Sequence, residues 1–258
     1  NYRKIKEAAG TLAQTTASEH NAFLRHLADA NLKDTKKVLA ANVLDVQDAI
    51  HKKQDESFVA RLRIDQDDVT HIVAKLKAVA RLKSGLGEVI EKRTLKKGLV
   101  LKKIRVPLGV LLVIYEARPE VTIDVAALCV KSGNGAILKG GSDALRTNRA
   151  LFACIQSALK KAGLPKHTVS FVDSSERSIT NDLLSQSRTI DLVIARDLVE
   201  HLPDPKLGFQ KIHGALRERG FFFLITPNGQ LDIWKAHQRW IHKGEAQPLL
   251  LNHLNYFL

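Results

Sequence analysis

Residues 109–165 read "GVLLVIYEARPEVTIDVAALCVKSGNGAILKGGSDALRTNRALFACIQSALKKAGLP", and their reading decides the fold. Val110–Tyr115 is a continuous apolar run of strand length, as a strand covered on both faces requires. "TIDVAALCVKSGN" then carries helical spacing and meets a stop at Gly133. "GAILK" is a second short strand, followed by a Gly-Gly turn and the helix from Ser142 onward. On that helix Leu151, Phe152, Ile155, Ala158 and Leu159 share a face, Lys160 and Lys161 suit the carbonyl end, and Gly163 and Pro165 end it. "VSFVD" and "IDLVIA" read as further strands. Strand alternating with helix is the grammar of a parallel, doubly wound, Rossmann-like α/β sheet.

Upstream, residues 2–50 are helical in period, with one long helix expected after a cap at Thr16 or Ser18. "RIDQDDVTHIVAKLKAVARL" predicts another amphipathic helix capped near Asp65, and "SGLGE", 84–88, breaks the pattern. "GLVLKKIRVP", 98–107, alternates loosely as a strand does. Downstream, "PKLGFQKIHGALRERG", 205–220, predicts a helix and "GFFFLITPNG" a strand, while residues 230–258 show no clear pattern.

Composition bounds the function. The 258 residues are 45% hydrophobic and 26% charged, ordinary for a globular chain. No stretch approaches the roughly 18 apolar residues that span a membrane. The start lacks a signal-peptide stretch, and the absence of any Met predicts that the sequence begins inside a longer chain. Two cysteines, Cys129 and Cys154, fall in apolar helical patterns, so buried inert thiols and a reducing, cytoplasmic compartment are expected. Residues 188–258 hold 9 Lys/Arg against 7 Asp/Glu, so nearly all of the formal charge of +13 precedes them. The lysines are spread along helices and aromatics are only 5%, so no base-stacking platform is indicated. A surface favouring phosphate-bearing small molecules, without nucleic-acid or membrane partners, is the expectation. The histidines His201, His213, His237, His242 and His253 have no tight metal-ligand spacing, and Trp234 and Trp240 read as packing residues.

The segments "IYEARP", "KSGN" and "ILKGGS", together with the preceding helices, resemble γ-glutamyl phosphate reductase (glutamate-5-semialdehyde dehydrogenase, in the aldehyde dehydrogenase superfamily) over about the first 190 residues. The resemblance implies NADPH-dependent reduction of an acyl phosphate in proline biosynthesis through a cysteine thiolate. It implies that Lys139 lies near the adenosine ribose or its 2′-phosphate, that Gly140 and Gly141 let the backbone approach the cofactor, and that Ser142 caps the following helix and reaches the ribose. A Lys-Gly-Gly-Ser turn joining strand to helix needs no ligand, however. Glu116, Arg118 and Pro119 occupy the loop after the preceding strand, where ligands of such sheets lie. Arg118 reads either as a phosphate or carboxylate clamp on the substrate or as a loop cation paired with Glu116 or Glu120. The family's catalytic cysteine belongs to a later segment without a counterpart here, so the sheet is expected to be incomplete and the chain inactive by itself.

From "DLVIARDLVEHLPDP" onward the sequence looks like the latter half of a class I S-adenosylmethionine-dependent methyltransferase. Two segments are therefore expected, 1–189 and 190–258, sharing the strand "IDLVI". Asp197, Glu200 and His201 would approach the methyl donor, but the glycine-rich loop of such enzymes has no upstream equivalent. Glu200 and His201 read better as helix-start residues. A methyltransferase fragment or a non-catalytic nucleotide-binding module are the alternatives. Apolar surface left bare by missing segments predicts a homo-oligomer.

Overall fold

In a computed structural model, residues 2–174, 190–196 and 204–225 are described. Their helices are α1 (Tyr2–Leu12), α2 (Ala17–Lys33), α3 (Thr35–His51), α4 (Glu56–Leu62), α5 (Gln66–Arg81), α6 (Pro119–Lys131), α7 (Leu145–Lys161) and α8 (Pro205–Ala215). Their strands are β1 (Val89–Thr94), β2 (Val100–Ile104), β3 (Val110–Tyr115), β4 (Gly135–Lys139), β5 (Val169–Phe171), β6 (Ile190–Arg196) and β7 (Leu216–Ile225).

The last five strands form one sheet in the order β5-β4-β3-β6-β7, each pair parallel. Every residue of β3 is buried, as its unbroken apolar run requires of a central strand. The pleat sends alternate residues to opposite faces. Leu111, Val113 and Tyr115 meet a core built with α2, α5, α6 and α7, where Phe23, Leu27, Ile72, Ile123 and Ile155 are buried. Val110, Leu112 and Ile114 meet a thinner layer in which α1 supplies Ile5 and Ala9 and α8 supplies Ile212 and Ala215. The sheet is thus covered on both faces, an α/β architecture of the doubly wound type. Asp191 on β6 ties the entering edge together: its carboxylate accepts from the Val110 backbone N–H at 2.8 Å and pairs with Arg217 on β7. The strand shared by the two expected segments therefore completes a single sheet.

Caps fall largely where the sequence puts them. Thr16 and Glu19 form a reciprocal capping box on α2, and Asp65 and Asp68 another on α5. Two expectations need correction, and one strand is additional. The long helix expected over residues 20–50 is two helices, broken at Asp34, where Thr35 Oγ1 donates back to the Asn31 carbonyl at 2.8 Å. The helix over 205–220 ends at Ala215. Leu216 turns to extended backbone (φ −68°, ψ 137°) because the chain must rejoin the sheet beside Ile190. And residues 89–94, unread as a strand, pair antiparallel with β2 in a ribbon. Almost every position of that ribbon is exposed, and Leu99, at its turn, is 63% exposed.

Candidate functional site

The carboxyl ends of β3, β4 and β6 lie side by side. Ile114 is in register with Lys139 and Tyr115 with Arg196, so the loops leaving three strands start from one edge. β4 and β5 lie to one side of β3, β6 and β7 to the other, so the winding reverses between β3 and β6. In open α/β sheets ligands lie outside the carboxyl ends at such a switch point. The loop Glu116–Arg118 leaves β3 there and feeds α6, whose first residue is Pro119, with its ring preset for the helix.

Each site residue expected from the sequence has a definite place. Glu116 is largely buried, its side chain 13% exposed, and pairs with Arg118 through Nε. A second arginine reaches the same carboxylate oxygen: Arg61 on α4 brings its Nε to 3.6 Å from Glu116 Oε1. Arg118 is therefore an ion-paired loop cation, and a third of its side chain remains exposed. Lys139 is half-buried at the end of β4 and donates to the Gly140 carbonyl at 3.0 Å. Among the described residues no carboxylate pairs with it. Burial without a counter-charge pulls its pKa below the ordinary lysine value.

The two glycines have a reason for being small that needs no ligand. A Cβ on Gly140 would stand 2.4 Å from Asn148 Nδ2 and 3.0 Å from Tyr115 Cε2. One on Gly141 would meet the Ala117 backbone nitrogen at 2.8 Å. Glycine lets the loops after β3 and β4 touch. Ser142 does not cap α7 as expected: it sits exposed in a short 3₁₀ turn, Ser142–Ala144, and its side chain makes no capping bond. Asp45, from α3, takes the capping role instead. Its carboxylate, 2% exposed, accepts from Thr147 N and Thr147 Oγ1, both at 2.8 Å, and pairs with Arg146 at 3.1 Å.

α3 and α4 thus cover the edge from above. Val46, Ala49 and Leu62 pack on Ala117 and Ala144, the small residues of the two loops. Asn42 fastens the chain just after Arg61, donating to the Leu62 carbonyl at 2.9 Å and accepting from Ile64 N at 2.8 Å. Asn42, Asp45 and Arg61 were missed by sequence reasoning. Asn42 and Asp45 left a signal, being polar residues at the spacing of the apolar face Val38, Val46 and Ala49. Arg61 left none. A hollow of about 590 Å³ between the end of α3, α4 and the start of α5, lined in part by Ile50, Val59, Arg63 and Asp65, contains none of the expected site residues. A smaller one, about 200 Å³, includes Ser142 with Lys52, Asp143 and Arg146.

The two thiols stand away from solvent. Burial pushes Cys129 up to about 12 and Cys154 up to about 11, so neither supplies a thiolate near neutral pH. Among the described residues no cluster of His, Cys, Asp or Glu could hold a metal, and no helix is long and apolar enough to cross a membrane. Asp197, Glu200, His201, Trp234, Trp240, His237, His242 and His253 lie outside the described residues.

No family model matches the chain. It is 40% identical over 194 residues to the γ-glutamyl phosphate reductase of Zymomonas mobilis, covering 75% of this chain and 45% of the relative. It is 41% identical over 224 residues to that of Pectobacterium carotovorum, covering 87% and 51%. The chain spans about half the length of these relatives. A match of 224 residues cannot fit within the first 189, so the likeness continues past the expected junction. Among solved structures, γ-glutamyl phosphate reductase from Thermotoga maritima aligns with a TM-score of 0.76 at 31% identity, over 84% of this chain and 51% of that one. The Saccharomyces cerevisiae protein of the same name gives 0.74 at 24% identity, over 95% and 69%. An NAD-dependent benzaldehyde dehydrogenase from Corynebacterium glutamicum gives 0.63 at 19%, over 87% and 45%. The fold is therefore that of the aldehyde dehydrogenase-type parallel sheet.

Proposed function

We propose that these residues form the cofactor-side part of a glutamate-5-semialdehyde dehydrogenase, the NADPH-dependent reductase of γ-glutamyl phosphate in proline biosynthesis. The observation that carries the reading is Lys139, a desolvated cation without an acidic partner among the described residues, set on the strand beside the switch-point loop. A buried ammonium gains stability when an anion reaches it, and a nucleotide phosphate at the Lys139–Gly140–Gly141–Ser142 turn would be that anion. Bound there, NADPH supplies the hydride. Lys139 holds its phosphate or ribose, Ser142 is exposed within reach of the same turn, and the Glu116–Arg118–Pro119 loop meets the phosphate-bearing substrate. Cys129 and Cys154 stay buried and protonated, so the nucleophilic thiol is none of the cysteines in these residues. Residues 1–189 and 190–258 act as two segments of one protein, the second lending β6 and β7 to the sheet of the first, and the compartment is the reducing cytoplasm, where buried thiols persist.

Calorimetric titration tests the reading. NADPH should bind, NADH more weakly, and Lys139→Met should remove the difference between them because it rests on the 2′-phosphate. Turnover with the semialdehyde should be undetectable. Binding of S-adenosylmethionine without NADPH would overturn the proposal in favour of a methyltransferase.

The exposed ribbon supports self-association into a homo-oligomer. Val89, Val100, Leu101 and Ile104 present apolar surface on a two-stranded ribbon, an arrangement only marginally stable in water without a partner. A second copy is the occupant proposed. Sedimentation should show a species heavier than the monomer that Leu101→Glu dissociates, and a monomer at all concentrations would refute it.

A further inference from the structure

We infer that Arg61, on α4, is the second cation of an oxyanion-binding pair with Arg118, assembled on Glu116 at the carboxyl end of β3. Two guanidiniums converge on a single carboxylate oxygen, so the cluster carries one positive charge more than Glu116 neutralises. Like charges brought together repel, and a fold retains such a surplus at low cost where an anion completes it.

Donor bookkeeping points the same way. An arginine carries five N–H donors in a planar fork. Arg118 meets Glu116 through Nε, which leaves both of its Nη groups without an acceptor among the described residues. Arg61 directs Nε at Glu116 and Nη1 at Ser57 Oγ, 2.5 Å away, which leaves Nη2. The side chains are 36% and 32% exposed, so the pair is open to solvent. Forked N–H groups of this kind match the oxygens of phosphate and carboxylate.

The scaffold is rigid on both sides. Asn42 bonds the backbone at Leu62 and Ile64, on either side of residue 63, and Leu62 is fully buried against Ala117. Arg118 sits at the residue preceding α6, next to Pro119, and its backbone N–H donates to the Glu116 carbonyl at 2.8 Å. The loop leaves β3 at the switch point, so the topology independently places a ligand beside it. The group taken is the phosphate or carboxylate of a small molecule. Which molecule presents it rests on the function proposed above, but the site itself does not.

The test uses the full chain and inorganic phosphate as probe, titrated calorimetrically at low ionic strength. Wild type should bind it. Arg61→Met and Arg118→Met should each weaken it about tenfold, or about 1.4 kcal/mol, while Arg63→Met, just past the end of α4 and lining the separate hollow, should leave it unchanged. Arg61→Lys keeps the charge and loses the fork, and should fall between wild type and Arg61→Met; it also serves if the Met variant does not fold. A parallel NADPH titration distinguishes the sources. Equal loss of NADPH affinity assigns the oxyanion to the cofactor, and unchanged NADPH affinity assigns it to the substrate. Phosphate affinity indifferent to both Arg61 and Arg118 overturns the inference. Failure of NADPH to bind, with phosphate binding intact, would refute the reductase reading and leave this site standing.

Discussion

Replacing Asp45 by alanine tests whether α3 holds the carboxyl edge of the sheet in place. The carboxylate is buried and accepts two bonds from Thr147, one of them from a backbone N–H in the first turn of α7. Truncation leaves that N–H and the Thr147 hydroxyl without an acceptor in a buried site, and an unsatisfied buried donor costs about 1–3 kcal/mol. It also removes a negative charge from a helix start, which contributes up to about 2 kcal/mol when partly buried. These terms overlap, so Asp45→Ala should cost about 3 kcal/mol. At roughly 2–4 °C per kcal/mol for a chain of this size, the midpoint of thermal unfolding should drop by about 6–12 °C. Urea denaturation followed by circular dichroism measures the same loss, and a double-mutant cycle with Thr147→Ala should show coupling. Asp48→Ala is the control, because that carboxylate binds the same arginine from an exposed position and its loss should leave the midpoint in place. If Asp45→Ala is no more damaging than Asp48→Ala, the carboxylate is not the cap of α7 and the account of the edge fails.

Gly140→Ala should destabilise by about 1–3 kcal/mol, the cost of overpacking, because its methyl would overlap Asn148 and Tyr115. Asn148→Ala in the same chain should recover part of the loss, and a purely additive pair in denaturant titration would refute the packing reason. The two cysteines should resist a thiol reagent in native protein at pH 8 and react fully after denaturation. The thiols ionise near 9.0 when unfolded and only at about 12 and about 11 when folded, so the folded state binds more protons in that window. Stability should accordingly fall as the pH rises above about 9, and less steeply in Cys129→Ala. A rapidly labelled native cysteine would contradict this.

The fold was legible where each element carries its own signal within a few residues. β3 reads as a central strand because it is apolar throughout, and α7 shows its buried face, its basic end and its stop together. Helix α3 was harder to read: Asp34 ends α2 through local backbone geometry that helical periodicity over 20–50 does not register. β1 was missed because "VIEKRT" gains a partner only by pairing with β2, and the helix over 205–220 was overrun because Leu216 answers to Ile190 in the sheet.

The sequence by itself determined the strand–helix alternation and put Glu116, Arg118, Lys139 and Ser142 at strand ends, since spacing along the chain encodes which face and which end a residue occupies. Tertiary structure alone decided who meets whom there. Arg61 reaches Glu116 across 55 residues and Asp45 reaches Thr147 across 102. Charge pairs and caps formed at such separation depend on how helices lie over the sheet, and no local pattern records that.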